Sequence, residues 1–392
     1  MKADLVLRSA KLVTGRSVFK GDLAIQGERI AAIGDLSAWS GQEELNCEGL
    51  HLMPGVIDTQ VHFREPGLEH KEDLESGTRA AIMGGVTSVF EMPNTDPPTT
   101  TPDRLRDKIE RAKGRTWCDT SFFIGASPEN VASLVDLEML PGTPGIKIFM
   151  GSSTGSLLVE DDEMLLKVLQ NGSRPCPVHS EDEPRNRERK SLLSCQPHAR
   201  EHPYLRDAES ARLSTERLLR LSVEARRPVH VLHISTKEEL PLLAAAKAAG
   251  MPVTCEVTPQ HLTLNSDLYE SMGSLLQMNP PIRSEEHRQA IFEAFQGGLF
   301  DVIGSDHAPH TLMEKSKPYP QSPSGMPGVQ TLLPIMLDWV NKGAIDISTL
   351  VRMTSENPSR LYGLRDKGWL TPGGHADLVL VDMEAEWEVT AD

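Results

Sequence analysis

Short apolar runs alternate with longer amphipathic stretches along most of this chain, and the texture of its two ends differs from its middle. Residues 4 to about 53 read as β-rich. Asp4-Leu5-Val6-Leu7-Arg8 and Leu23-Ala24-Ile25-Gln26-Gly27 cluster or alternate apolar residues, and Glu28 to Gly34 continues the pattern after a Gly-led turn. Pro54-Gly55 closes this part. From about 55 to 360 strand-like runs (86–90, 120–124, 145–149, 176–179, 229–233, 253–257, 301–306) interleave with helical patterns (76–83, 102–113, 160–170, 208–225, 240–249, 287–296). Strand–helix alternation repeated about eight times predicts a parallel (β/α)8 TIM barrel. Residues 376–382 are β-like again and are predicted to rejoin the N-terminal β region, since chain ends are often neighbours. The expected division is a β domain of residues 1–53 plus 365–392 and a barrel of residues 54–364. Residues 311–329, rich in Pro, Ser, Gly and Lys, read as a loop over a site.

Polar residues follow the strand-like runs: Gln60, His62, Arg64, Asn94, His179, His233, Asn279, Asp306 and His310. The C-terminal strand ends of such barrels form the active face. On one strand Gln60, His62 and Arg64 share a face. Neutral imidazoles with a carboxylate suit a divalent ion such as zinc, although any one His is more often a half-buried structural residue. Lys147 lies mid-strand; either its stem packs while its ammonium reaches water, or it is carboxylated by CO2 and bridges metals. Asp306 is a metal ligand, a proton shuttle or a turn residue. Arg64, Asn94 and His310 could bind a carboxylate, or serve as a surface ion pair and turn residues.

Composition narrows the function. Formal net charge is −16, from 56 acidic and 40 basic residues, without a basic stripe, which argues against nucleic acid. No apolar run is long enough to span a membrane. Met1 to Asp4 leads straight into a strand-like run, so no signal peptide is expected. Five scattered cysteines with no CxxC pair fit a reducing cytoplasm.

Asp58-Thr59-Gln60-Val61-His62-Phe63-Arg64-Glu65-Pro66-Gly67 resembles the signature of dihydroorotases, members of the amidohydrolase superfamily. So do Gly85-Val86-Thr87, Glu91-Met92-Pro93-Asn94-Thr95, Val229 to Thr236, Met278-Asn279-Pro280-Pro281-Ile282-Arg283 and Gly304-Ser305-Asp306-His307-Ala308-Pro309-His310, in family order over nearly the whole chain. The resemblance implies a TIM barrel with a β-sandwich made from both chain ends. It implies zinc-dependent interconversion of N-carbamoyl-L-aspartate and dihydroorotate in pyrimidine synthesis, with two zinc ions and a carboxylated Lys147. By motif, His62, Lys147 and Asp306 would serve one metal, and Lys147, His179 and His233 the other. Asp306 would be the acid/base. Arg64, Asn94 and His310 would hold the substrate carboxylate, with His62 beside it and Asn279 on a ring polar group. Ser324 and Gly325 would contact substrate through the backbone. Ser153 or Thr154 lies where relatives carry a mobile loop, and Glu256 resembles a further acidic residue near the site.

Two departures stand out. Gln60 replaces the first His of the usual His-x-His pair, which implies a weaker metal site at Gln60/His62 and one zinc per chain in place of two. The chain also stops at Asp392, where relatives continue through several more strands, which implies a shortened β domain. A neighbouring cyclic amidase (allantoinase or dihydropyrimidinase) and a non-catalytic scaffold for aspartate transcarbamoylase are the competing readings. A homo-oligomer, in the simplest case a dimer, is expected.

Overall fold

A computed structural model describes residues 1–151 and 157–390, and the chain divides into two compact units. The first comprises Met1–Ile57, Gly85–Thr87 and Leu333–Asp392; the second comprises Asp58–Gly84 and Ser88–Leu332. Ser153 and Thr154 lie outside the described residues.

In the first unit β1 (Lys2–Val13), β2 (Val18–Gln26), β3 (Arg29–Gly34), β4 (Ser40–Asn46) and β5 (His51–Pro54) belong to one six-stranded sheet. β1 is long enough for its two halves to take different parallel partners. Residues 2–8 pair with β4, and Lys11 and Leu12 pair with β5. Its two faces carry separate apolar clusters, Leu7, Leu12, Leu23, Ile30 and Leu52 in one, Ala3, Val6, Ala24 and Leu36 in the other. Alternation sets Val6 and Leu7 on opposite faces, and the register shift between Leu7 and Ala10 brings Leu12 to the side of Leu7. The sixth strand comes from the far end of the sequence. β15 (Leu378–Val381) pairs antiparallel with β5, so the 376–382 run does join the N-terminal strands.

The second unit is built on parallel strands. β6 (Val56–Val61), β7 (Val86–Glu91) and β8 (Asp119–Phe122) form one hydrogen-bonded run. β9 (Ile124–Gly125), β10 (Ile146–Phe149), β11 (Cys176–His179), β12 (Val229–Val231), β13 (Val253–Val257) and β14 (Val302–Ile303) form the other. β8 and β9 are one barrel strand interrupted at Phe123, and a parallel bridge from Val61 to His307 ties the last strand's extension to the first. That gives the eight strands of a TIM barrel. β6, β10, β11 and β12 are buried at every position, the pattern of parallel strands covered on both faces.

The strands are shorter than the apolar runs predicted where a functional side chain follows. The run over 229–233 yields a strand only to Val231, and the run over 301–306 yields only Val302–Ile303. His233 and Asp306 take positive φ (36° and 45°), which ends the ladder before them. The predicted loop over 311–329 contains one short helix, Leu312–Lys315, capped by Thr311. Helices at Glu183–Arg189 and Pro259–Thr263 were not legible as periodic patterns.

Below Asn94, Glu91 and Lys108 form a fully buried ion pair, and the ammonium also donates to the Met92 carbonyl at 3.2 Å. Burial raises the Glu91 carboxyl to about 7 and lowers the Lys108 ammonium, with each charge opposing the shift of the other. Removing one partner of such a pair costs about 3–5 kcal/mol, whereas replacing both is often near neutral. Lys108→Met should therefore destabilise the chain by about that much in urea unfolding. The double variant Lys108→Met/Glu91→Leu should regain most of the loss.

Candidate active site

The C-terminal strand ends place the predicted residues together. Of the twelve candidates, Gln60, His62, Arg64, Asn94, Lys147, His179, His233, Asn279, Asp306, Ser324 and Gly325 line one cleft of about 80 Å3, with Phe149 and Ala308 completing it. His310 stands behind Arg64, its Nε2 3.2 Å from Arg64 Nη2. A larger groove of about 650 Å3 near Tyr204 and Arg283 shares no lining residue with this cleft.

Among the described residues, three of the five non-glycine residues at positive φ are site residues: Arg64 (68°), His233 (36°) and Asp306 (45°). Such conformations cost of order 1–3 kcal/mol each and persist where surrounding contacts over-determine them. At Arg64 those contacts are a bond from Nε to the Pro309 carbonyl at 3.1 Å and the adjacent His310 ring. Burial, then Arg64 and Lys71, depress the His310 imidazole to about 3, so it stays neutral. As an Nε2–H tautomer it donates to the Ser324 carbonyl (3.0 Å) and accepts at Nδ1 from Lys71 (3.2 Å).

The remaining polar groups converge on the cleft. His62 Nδ1 is 2.7 Å from Asn94 Oδ1, so Nδ1–H donates and Nε2 carries the lone pair. That Nε2 lies 3.3 Å from Asp306 Oδ1, with no proton between them once the buried ring is neutral. Gln60 donates through Nε2 to the same Oδ1 at 2.9 Å, and its Oε1 is buried without a donor. Across the cleft His179 Nδ1 and His233 Nε2 are 3.0 Å apart. Two ligands of one tetrahedral zinc, at bond lengths of about 2.0–2.1 Å, sit roughly 3.3 Å apart. Lys147 is buried beside them, its ammonium 4.6 Å from the Phe149 ring centre. Burial lowers that ammonium to about 7, against the pull of Asp306 and Glu256.

These are the donors a divalent cation needs, and bare acceptors in a buried cleft are what an ion would satisfy. Among the described residues no three His, Cys, Asp or Glu side chains gather closely enough to hold an ion by themselves. Gln60 and Lys147 are the further polar side chains that line the cleft beside these pairs. The fit is better at His179 and His233, where both nitrogens already converge.

Glu256 lies deeper in the barrel, fully buried, accepting from Thr59 Oγ1 at 3.1 Å; it does not line the cleft. Several working residues escaped the sequence reading. His202, buried, bonds the Asn279 amide oxygen at 2.9 Å, which leaves the Asn279 NH2 as the donor for a ligand. Gly325 (φ 147°) has the Ala308 carbonyl where a Cβ would need to be. Its N–H is taken by the Gln277 carbonyl at 2.9 Å, so backbone contact to a substrate here falls to the carbonyl lone pairs. Lys315 pins this loop from beneath: its buried ammonium donates to the carbonyls of Gln277, Pro323 and Gly325, each at 3.0 Å. Nothing in the local sequence marks Lys315, because its acceptors come from two places in the chain, Gln277 and the 323–325 turn.

A barrel with an active face of this composition defines a class. The amidohydrolase family profile matches residues 51–157 and 204–392, and the chain belongs to that family. A dihydroorotase of Halobacterium salinarum is 36% identical over 99% of this chain and 89% of its own length. One from Methanosarcina mazei is 34% identical over 99% and 88%, and one from Pyrococcus horikoshii 34% over 97% and 84%. Relatives at that level over nearly the whole chain make it a member of the dihydroorotase group. Among solved structures, L-hydantoinase from Arthrobacter aurescens superposes with a TM-score of 0.90 at 29% identity, covering 96% of this chain and 86% of the other. Dihydropyrimidinase from Brevibacillus agri gives 0.89 at 27%.

Replacing Lys315 by Met would remove the donor from the Pro323 and Gly325 carbonyls, each worth about 1–3 kcal/mol when unsatisfied, while the Gln277 carbonyl keeps the Gly325 N–H. Lys315→Met should speed hydrogen exchange across 320–326 at least tenfold while exchange in β10 and β11 stays unchanged.

Proposed function

We propose that this chain is an active dihydroorotase, opening the ring of dihydroorotate to N-carbamoyl aspartate and closing it in reverse, as a step of pyrimidine synthesis. The observation that carries the reading is the gathering of eleven of twelve candidates in one cleft, with His179 and His233 meeting nitrogen to nitrogen. Lys147 as a carbamate, His179 and His233 would hold one zinc. His62, Asp306 and Gln60 through Oε1, sharing the Lys147 carbamate, would hold a second, weaker one. An ammonium lowered to about 7 supports this role for Lys147, because the neutral amine is the form that adds CO2. Zinc, when bound, supplies Lewis acidity: it polarises a carbonyl and lets water attack near neutral pH.

The chain's own residues do the rest. Asp306 accepts the proton of the attacking water and returns it to the departing ring nitrogen. Arg64 offers a planar fork to the substrate carboxylate, and the neutral His310 behind it adds no competing charge. Asn94 holds the His62 tautomer, and Asn279 donates to a ring carbonyl.

The hydantoinase and dihydropyrimidinase structures favour a second reading, a cyclic amidase for uncharged rings. Buried Arg64 argues against it, since a guanidinium fork lining the cleft suits a substrate that carries a carboxylate. The test is turnover: dihydroorotate should be hydrolysed while dihydrouracil and allantoin are not, and Asp306→Ala should lower kcat by about 10²–10⁴ with the fold intact by circular dichroism. Turnover of dihydrouracil in preference to dihydroorotate would replace this reading by the second.

Gln60 sets the metal count. An amide oxygen is a poorer zinc ligand than imidazole, and Gln60 is also committed to Asp306. Purified protein should carry one zinc per chain by elemental analysis, and Gln60→His should bring tight binding of a second. Two tightly held ions in the unaltered chain would contradict this.

A further inference from the structure

The segment that carries His179 also carries a carboxylate the proposed mechanism leaves unused. Glu181 is fully buried, and its Oε2 lies 2.7 Å from His179 Nε2, the ring nitrogen turned away from His233. Arg206 forks onto the same carboxylate, Nε to Oε1 at 3.1 Å and Nη2 to Oε2 at 2.6 Å. Arg206 is held in turn, since its carbonyl accepts from the buried Arg283 at 2.8 Å. The backbone around Glu181 is pinned to the helix Ala208–Ala225 from both sides. Ser180 Oγ meets Ser214 and Thr215 hydroxyls at 3.1 and 3.0 Å, and the Asp182 N–H donates to Ser210 Oγ at 2.9 Å.

A carboxylate kept ionised by a guanidinium accepts hydrogen bonds and donates none. The hydrogen in the His179–Glu181 contact therefore belongs to His179 Nε2. A neutral imidazole with its proton there presents a lone pair at Nδ1, the nitrogen 3.0 Å from His233 Nε2. His233 has no such brace, for its Nδ1 is buried without a partner.

We infer that Glu181, braced by Arg206, is a positioning residue that fixes His179 as the Nε2–H tautomer and aims Nδ1 at the metal locus. This rests on the reading of His179 and His233 as a zinc pair. A carboxylate behind a metal-bound imidazole orients the ring and raises its basicity, and its loss typically weakens metal binding 10–100-fold.

In Glu181→Gln, Arg206 claims the single carbonyl oxygen and the amide NH2 is left for His179 Nε2. That nitrogen must then accept, and the proton moves to Nδ1. Two readouts follow. Long-range ¹⁵N–¹H spectra of histidine-labelled apoprotein should show His179 as Nε2–H in the unaltered chain and as Nδ1–H in Glu181→Gln. Zinc titration against a chromophoric chelator should show about 10–100-fold weaker binding in the variant. Glu181→Asp keeps the charge and the Arg206 partner, so it should retain the tautomer and lose less affinity; it also serves if Glu181→Gln does not fold. An unchanged tautomer, or zinc affinity within twofold of the unaltered chain, overturns the inference and leaves Glu181 a buried partner of Arg206 only. Failure of the unaltered protein to take up zinc would instead sink the proposed function, while the metal-free tautomer still decides what Glu181 does.

Discussion

His62 Nε2 against Asp306 Oδ1, and His179 Nδ1 against His233 Nε2, bring imidazole nitrogens and a carboxylate oxygen within 3.0–3.3 Å of each other in a buried cleft. A neutral His62 turns a lone pair to the carboxylate, which is unfavourable without a positive charge between them, whereas His233 Nε2–H donates to His179 Nδ1. The surroundings hold the arrangement regardless. β6, β10 and β11 are packed on both faces, Asn94 and Glu181 tie down the far ring nitrogens, and left-handed backbone turns His233 and Asp306 inward. The barrel thus spends packing energy on keeping ligand atoms together, which is the preorganisation a metal-assisted hydrolase requires.

Lys147 and Gln60 decide how that constraint is met. Lys147 is a cation by type in a place that disfavours cations, and burial lowers its ammonium to about 7. Gln60 is a neutral amide beside it in the same cleft. Its amide divides its loyalties, the NH2 bonded to Asp306 and the oxygen bare. The two halves of the cleft consequently differ: one offers converged imidazoles, the other a mixed set already engaged in a hydrogen bond. Arg64 lines the same cleft as a desolvated cation, with His310 kept neutral behind it.

Much of this was legible in the residues alone. Apolar runs ending in His, Asp or Asn point to strand ends, because side-chain alternation and the barrel's active face are local and topological rules. Gln60, His62, His179, His233 and Asp306 were all readable that way. What escaped were partnerships. Glu181 gains its meaning from Arg206, 25 positions on, and from the ring of His179; His202 from Asn279, 77 positions on; Lys315 from carbonyls at 277, 323 and 325. Helices such as Glu183–Arg189 escaped as well, being too short for a period of 3.6 to declare itself.

The sequence by itself therefore determined the alternation that builds a barrel, the residue types at its mouth and their family resemblance. All of these are written in neighbouring positions and in repeat spacing. The tertiary structure alone decided which nitrogen of each imidazole faces the cleft, that Gln60 turns its NH2 to Asp306, and that buried Glu181 and Lys315 hold the site from behind. Those outcomes depend on distances between segments far apart in the chain and on burial, which converts an ordinary side chain into an ionised anchor or a bare acceptor.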